Sequence, residues 1–491
     1  METCPSEFKP NHDEWIPITS LEQMEQTEYD VLVAGTGAGG GAAIWRLCEK
    51  LAGTKVKIGV VEAGGLVLPT HAANLPLAGN YLSNPRVTLP IGKNMPEYPN
   101  ATQVLALGGR TLFWGFISPR FHPSEFLTWP LTYQELIPYY NIAEKVMNVS
   151  DDFLEDSTAQ EVLLNRLWEN GFPDVSHTPL AIYTKSSKYG KIFSTPFFSS
   201  INFLAYALNR RPFDLAVHAS VVEVLHENSR VRGLRVMTPD LKSHTIRAKN
   251  VILATSALEN PRILLHSGIP GPAIGHYLSD HTFVVGLGTI SMKEFPEIPG
   301  TVGILNPSSV DQPFQIQFFR APWFGYQQFQ NVPYPDNLDL HLQGFGKIYS
   351  RYDNRVFLDP NQKDTYGVPI AQVEFSYHPD DYKIMERMVV TMKQMLSAMG
   401  VALKAQPGQP EFCMLKPGSS VHDAGTCRIG NDPSTSAANR YGQIHNFTGL
   451  YVAGNSVLPS MGGTNPTLTT VALAIRTADY VAHSIYQNRQ T

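Results

Sequence analysis

Two residues in the C-terminal part of the chain have the types needed to take a proton from an alcohol. His422 sits in a loop of small residues, Ser419-Ser-Val-His-Asp-Ala-Gly-Thr-Cys-Arg-Ile-Gly430, and Asn465 stands before Pro466 at the head of an apolar-spaced segment. Oxidising C–OH to C=O removes a proton from oxygen and a hydride from carbon. A histidine that titrates near neutrality can accept the proton, and an asparagine amide can hold the developing alkoxide. The hydride needs an acceptor, and flavin N5 can serve. From spacing alone His422 could equally be a hydrogen-bonded loop histidine and Asn465 only a helix cap, and nothing in the spacing proves that the two meet.

The place for an acceptor lies near the other end of the chain. Tyr29–Ala34 reads as a buried parallel strand and is followed by GTGAGGG, in which Gly35, Gly37 and Gly40 match G-x-G-x-x-G around Ala38. The first glycine permits a tight turn, the second lets backbone approach a pyrophosphate, and the third lets helix and strand pack closely. The pyrophosphate then rests on the positive end of the helix. Residues 55–61 read as the next strand, and Glu62 ends it about 20 residues after the glycines, where an acid bonds ribose hydroxyls. An acid there favours FAD or NAD over NADP.

Further elements follow from pattern. Residues 132–148 read as a helix, 214–238 and 250–255 as strands, and 256–267 as a helix start and body. Strand-like runs occur at 314–319 and 340–345, and an amphipathic helix spans 380–399, its methionines read as core filler. A last strand covers 449–454. The final helix has apolar residues at Leu468, Val471, Ala472, Ile475, Ala478 and Val481, with Asn465 as N-cap and Pro466 at its first position. Residues 66–128 are irregular and rich in Pro, Gly and aromatics, which points to a stretch wrapped around a ligand. A nucleotide fold opened at residue 28 and completed near residue 485 must be discontinuous. The expected division is an N-terminal extension over 1–27, a cofactor domain from 28–150, 213–285 and 417–491, and a substrate domain from 151–212 and 286–416.

Composition narrows the classes. The chain has 491 residues, 43% hydrophobic and 16% charged, with a formal net charge of −5. That composition suits a large buried core, and the absence of a basic stripe argues against nucleic-acid binding. The four cysteines show no CxxC spacing, so neither a disulfide framework nor a zinc site is expected, and no metal site. The polar start has no apolar h-region, and no apolar run approaches the length of a membrane span. A cytoplasmic location is therefore expected. His281 follows Asp280 in HYLSDH, His218, His266 and His276 fall in segments read as structural, and His445 reads as solvent-facing, so none of them is preferred to His422.

Taken together, GTGAGGG with Glu62, LGGRTLFWG (107–115), WPLTYQELIPYYNIAEKVMNVS, VILATSALENPRILLHSGI, VHDAGTCRIG and LYVAGNSVLPSMGGTNPTLTTVALAIRTADYV make the chain resemble the glucose-methanol-choline (GMC) FAD-dependent oxidoreductases over nearly its whole length. GGRTLFWGFISPRF, DNRVFLDPNQKDTYGVP and TNPTLT look most like the pyranose oxidase and fructose dehydrogenase branch. The resemblance implies an α/β (α+β overall) architecture: a Rossmann-like FAD-binding domain and a substrate domain built on a mostly antiparallel sheet with helices. It places His422 as the base and Asn465 as its partner. Gly108, Gly109 and Thr111, with Trp114 and Gly115, match the flavin-contacting loop. Val222 matches the residue whose backbone reads the adenine edge, Gly454 and Asn455 the turn near the phosphates, and Pro466 and Thr467 the helix start beneath the ring.

There are departures from the family pattern. Some pyranose oxidases attach FAD to a histidine just before the tryptophan of this loop; Phe113 stands there, so FAD is expected to be non-covalent. Asn455 replaces an aspartate common in the family and retunes a phosphate-side hydrogen bond. Segment 286–345, where specificity should lie, matches poorly. The expected substrate is a hydroxyl of a sugar, glycoside or polyol-like molecule, with Trp323, Phe324 and Tyr326 as a stacking surface or as core. An amino-sugar or other secondary-metabolite alcohol is an alternative, as is a non-redox, hydroxynitrile-lyase-like reaction on the same fold. A retained nucleotide fold without activity and an NAD-linked dehydrogenase are weaker readings, because His422, Asn465 and the Gly454–Pro466 segment all stand in motif context. Oxygen, a quinone or another compound could accept the electrons, and the oligomeric state is left open.

Overall fold

The computed structural model describes residues 16–75, 87–154, 157–183, 197–291, 293–294, 301–320, 336–405 and 407–490. Nine strands and four helices position the site. The strands are Val31–Ala34 (β1), Ile58–Val61 (β2), Asp214–Ala216 (β3), Val251–Leu253 (β4), Thr282–Ser291 (β5), Gly303–Asn306 (β6), Phe314–Phe319 (β7), Asn337–Gly346 (β8) and Leu450–Val452 (β9). The helices are Ala38–Lys50 (α1), Tyr133–Met147 (α2), Pro379–Met399 (α3) and Thr467–Gln490 (α4).

A parallel sheet runs in the order β9-β4-β1-β2-β3. Every residue of β1 and β2 is buried, as continuous apolar runs in a sheet covered on both faces must be. The register pairs Leu32 with Val251 and Val33 with Val60. α1 carries three consecutive buried glycines against their helix propensity, because close packing demands them. A Cβ on Gly40 would stand 2.0 Å from Gly35 O, and one on Gly41 would stand 1.8 Å from Ser200 Oγ. Arg46 of α1 binds Asp479 of α4 at 2.6 Å, so the first and last helices of the sheet layer are joined across the chain.

The second layer is antiparallel. β5, β8, β7 and β6 lie side by side, with Ala402–Leu403 and Ser176–His177 at the edges. α3 packs on it through Met385, Met388, Met392, Met395 and Met399, all buried, which agrees with the core role expected of them. Gly344 of β8 makes room for that helix: a Cβ there would lie 2.6 Å from Met392 Cε. α3 ends at Gly400, whose φ of 71° stops the helix in a left-handed cap. A further four-stranded sheet joins Glu28–Tyr29, Ser243–Ala248, Arg230–Met237 and Ser220–Glu227.

Several boundaries differ from the expected ones. The second strand starts at Ile58 rather than 55, since residues 55–57 precede the ladder. Residues 214–238 split into three strands, and the helix after β4 begins at Glu259 rather than 256. α2 starts where expected, with Thr132 and Glu135 forming a capping box. The expected segment 151–212 divides between two cores: Ala159, Leu163, Leu164 and Leu167 pack with the antiparallel sheet, whereas Leu180–Ile182 and Phe197–Ala207 pack with the parallel one. The physical reason is Ser200–Leu208, which lies on α1 and stacks Phe203 on Trp45 with ring centroids 5.9 Å apart. No described helix is long and apolar enough to cross a membrane.

Candidate active site

The glycine turn is fastened before it meets any ligand. Gly35 adopts φ +92°, and a Cβ there would meet Ala254 O at 2.5 Å. Thr36, buried next to it, donates from N and from Oγ1 to Glu62 Oε2 at 2.9 and 2.7 Å. Its Oγ1 accepts from Gly108 N at 2.9 Å, and its carbonyl accepts from Ser200 Oγ at 2.7 Å. Thr111 closes the circuit, donating to Gly108 O at 2.6 Å and accepting from Ser200 N at 2.8 Å. Gly64 N adds a third bond to the Glu62 carboxyl, at 2.9 Å. Burial raises the Glu62 pKa, and these donors oppose it.

Around this ring opens a cavity of about 1280 Å³, larger than the roughly 300–1,000 Å³ usual for one small ligand. Gly35, Gly37, Ala38 and Glu62 form one wall; Gly109, Thr111, Trp114 and Gly115 form another. Val222, Gly454, Asn455 and Thr467 complete it, and His422 and Asn465 open onto the same space. A Cβ on Gly37 would meet nothing within 4 Å, so the head of α1 faces open space, as a pyrophosphate cradle requires. Val221 pairs with Val236 and Glu223 with Arg235, leaving Val222 as the extra residue of a bulge. A bulged residue is released from the ladder, and Val222 lies on the cavity wall. The residues therefore fit an extended dinucleotide.

Three residues of the expected cofactor site do not line the cavity. Gly40 packs under Gly35 O, the role the third glycine of the motif has. Gly108 faces Leu112 and Ile201 and uses its N–H on Thr36. Pro466 is buried, and its carbonyl receives Thr470 N at 2.8 Å in the first turn of α4. Asn455 accepts from Thr470 Oγ1 at 2.5 Å.

Asn465 is not the expected helix cap. Its Oδ1 accepts from Gln315 Nε2 at 2.6 Å and from Gln317 Nε2, both reaching from β7, and α4 starts two residues later at Thr467. With Oδ1 so engaged, the amide nitrogen of Asn465 is the end left for a ligand. Gln315 and Gln317 were missed in the sequence. Their signal was two amides at i and i+2 in a strand whose other residues are apolar, an alternation that aims both to one side.

His422 forms part of the cavity wall, and its Nδ1 is buried without a partner. Burial first, then His281 and Arg110, depress its pKa well below the usual histidine value. His281 was also missed as a site residue. It stands edge-on to His422 with ring centroids 5.1 Å apart, and burial lowers its pKa to about 4. Both imidazoles are thus neutral at pH 7. Behind them, Ser420 and Gly418 bond the buried Asp280, whose pKa burial and the charge of Asp423 push up to about 6. His218 lies on the cavity wall. His445, expected at the solvent, is half-buried with Nε2 at 2.9 Å from Ser436 Oγ. Trp323, Phe324 and Tyr326 fall outside the described residues. Among the described residues no cluster of His, Cys, Asp and Glu could hold a metal.

This fold and site define a dinucleotide-binding class, and comparison with known proteins gives the family. The family described as GMC oxidoreductase matches residues 59–283 with its N-terminal part and 350–474 with its C-terminal part. The chain belongs to this family of FAD-dependent oxidoreductases acting on CH–OH groups. It is 26% identical over 426 residues to a C-glycoside 3-oxidase of Arthrobacter globiformis, covering 83% of this chain and 79% of that protein. It is 26% identical to a 2-methyl-1,2-propanediol dehydrogenase of Mycolicibacterium austroafricanum, covering 92% and 95% of the two chains. A pyranose 2-oxidase of Tricholoma matsutake is also 26% identical, covering 78% and 73%.

Gly37, at the head of α1, and Gly40 within it separate folding from cofactor binding. Gly40→Ala should prevent accumulation of folded protein, because its Cβ meets backbone. Gly37→Ala should fold with wild-type circular dichroism but carry less flavin per chain, measured by visible absorbance against protein.

Proposed function

We propose that the protein oxidises a hydroxyl of a sugar, glycoside or polyol-like substrate to a carbonyl, with His422 as base and Asn465 as donor to the substrate oxygen. The observation that carries this reading is that His422 and Asn465 open onto the cavity whose other walls are the glycine turn and the loop at Gly109–Gly115. Gly35, Gly37, Ala38 and Glu62 would hold the adenosine and pyrophosphate end of FAD. Gly109, Thr111, Trp114 and Gly115 would meet the ring, with Thr467 at the helix start beneath it, Gly454 and Asn455 near the phosphates and Val222 near the adenine. FAD, when bound, supplies the acceptor for the two electrons that leave the substrate carbon as hydride.

The chain's own residues handle the proton. Because its pKa is depressed, His422 is unprotonated at neutral pH and can take the hydroxyl proton at the ring nitrogen that faces the cavity. Gln315 and Gln317 hold Asn465 by its oxygen, so its NH2 group is directed at the developing alkoxide. His281 and Phe345 pack against the imidazole and restrict its rotation. A carbohydrate or polyol substrate is favoured over a simple alcohol by branch resemblance and by two relatives whose names specify glycoside or pyranose. Oxygen, a quinone or another acceptor would take the electrons onward.

His422→Ala should keep its flavin but lose about 10²-fold or more in the rate of anaerobic flavin reduction, the size expected of a general base. In the wild type that rate should hold through neutral pH and fall only in acid, below the ordinary histidine range, since the lowered pKa keeps the base neutral until then. Near-normal reduction by the variant would remove His422 from the reaction. Acid precipitation should leave all the yellow colour in the supernatant, because Phe113 offers no attachment point; colour in the pellet would contradict non-covalent binding.

A further inference from the structure

We propose that Arg110, in the cofactor-facing turn Gly109–Leu112, is a positioning residue that holds Val421 in a left-handed backbone conformation and so aims His422. Val421 immediately precedes His422 and adopts φ +53°. For a β-branched residue this is a strained conformation. Protein packing does not impose it: Val421 is 36% exposed, it lines the cavity, and the turn bond of its N–H to Gly418 O is long at 3.3 Å.

Arg110 supplies the hold. Its Nη1 donates to Val421 O at 2.6 Å and reaches Asp423 Oδ2 at 3.4 Å, so one guanidinium grips the residues on both sides of His422. Its Nη2 donates to Thr102 O at 2.5 Å, which fixes the plane of the group. Asp423 is steadied from the other side by Tyr98 Oη, which donates to Oδ1 at 2.7 Å. The stem of the histidine loop has its own anchors: Gly418 N donates to Asp280 at 3.0 Å, and His422 N to Ser420 Oγ at 3.3 Å. None of these reaches the Val421 carbonyl.

The planar, two-pronged donor matters here because Nη1 serves Val421 O and Asp423 while Nη2 serves Thr102 O, an arrangement that a lysine ammonium does not hold in fixed geometry. The turn that carries Arg110 is itself tied to the glycine turn through Gly108 and Thr36. Packing of the cofactor wall and direction of the histidine are therefore set by one short segment. The catalytic value of this clamp rests on the reading of His422 as base; the clamp itself does not.

The test follows hydrogen exchange of peptides spanning residues 418–424 in the protein as purified. Arg110→Ala should accelerate exchange about five- to thirtyfold, the population penalty that a left-handed non-glycine residue carries when unsupported. Arg110→Lys should give most of the same loss. Adding Val421→Asn to Arg110→Ala should bring exchange back close to the wild-type rate, because asparagine accepts this conformation and is close to valine in size at this cavity-lining position. Unchanged exchange in Arg110→Ala, or acceleration that Val421→Asn does not reverse, would overturn the proposal. If Arg110→Ala does not fold, the same comparison runs on Arg110→Lys with and without Val421→Asn. No substrate enters this measurement, so failure of the proposed reaction would leave its outcome intact.

Discussion

The site depends on one buried side chain, Thr36, whose hydrogen bonds all go to the pieces that must stay together. Its hydroxyl joins the acid ending the second strand to the loop at Gly108, and its carbonyl holds Ser200 beneath. Each partner is a backbone group or a buried polar atom, and a buried group left unsatisfied costs about 1–3 kcal/mol. The βαβ unit and the cofactor-facing loop, far apart in sequence, are thereby held in one arrangement. The cavity is the space this ring encloses on one side.

From that frame the chemistry follows by position. The parallel sheet sets the glycine turn and the start of α4; the antiparallel sheet sends Gln315 and Gln317 against Asn465. His422 is delivered by a loop that neither sheet contains, so it needs its own fastening. Asp280 holds that loop from below through Gly418 and Ser420, and Tyr98 and Asp423 hold it from the side. The result is a neutral imidazole and an oriented amide at the boundary between the two cores.

Local sequence carried much of this. Apolar runs and glycine spacing located β1, α1 and β2, because buried parallel strands and close helix packing leave little choice of residue. The family motifs gave His422, Asn465 and most of the cavity wall. What escaped were partners brought together only by folding. Thr36 occupies a variable position of its motif, and Gln315, Gln317 and His281 lie on strands or turns remote from the residues they touch. Asn465 before Pro466 has the local signature of a helix cap, and the two glutamines override it. Likewise, the fate of 151–212 was decided by packing on α1, which no periodicity within that segment reveals.

The most direct measurement is the visible spectrum of the purified protein, recorded anaerobically during addition of free sugars, C- and O-glycosides, polyols and simple 1,2-diols. Loss of oxidised-flavin absorbance with a sugar, glycoside or polyol is expected, because a base and an oriented donor share the cavity with the cofactor wall. A flavin that stays oxidised with every hydroxyl compound, or a protein that binds no flavin, would contradict that central claim.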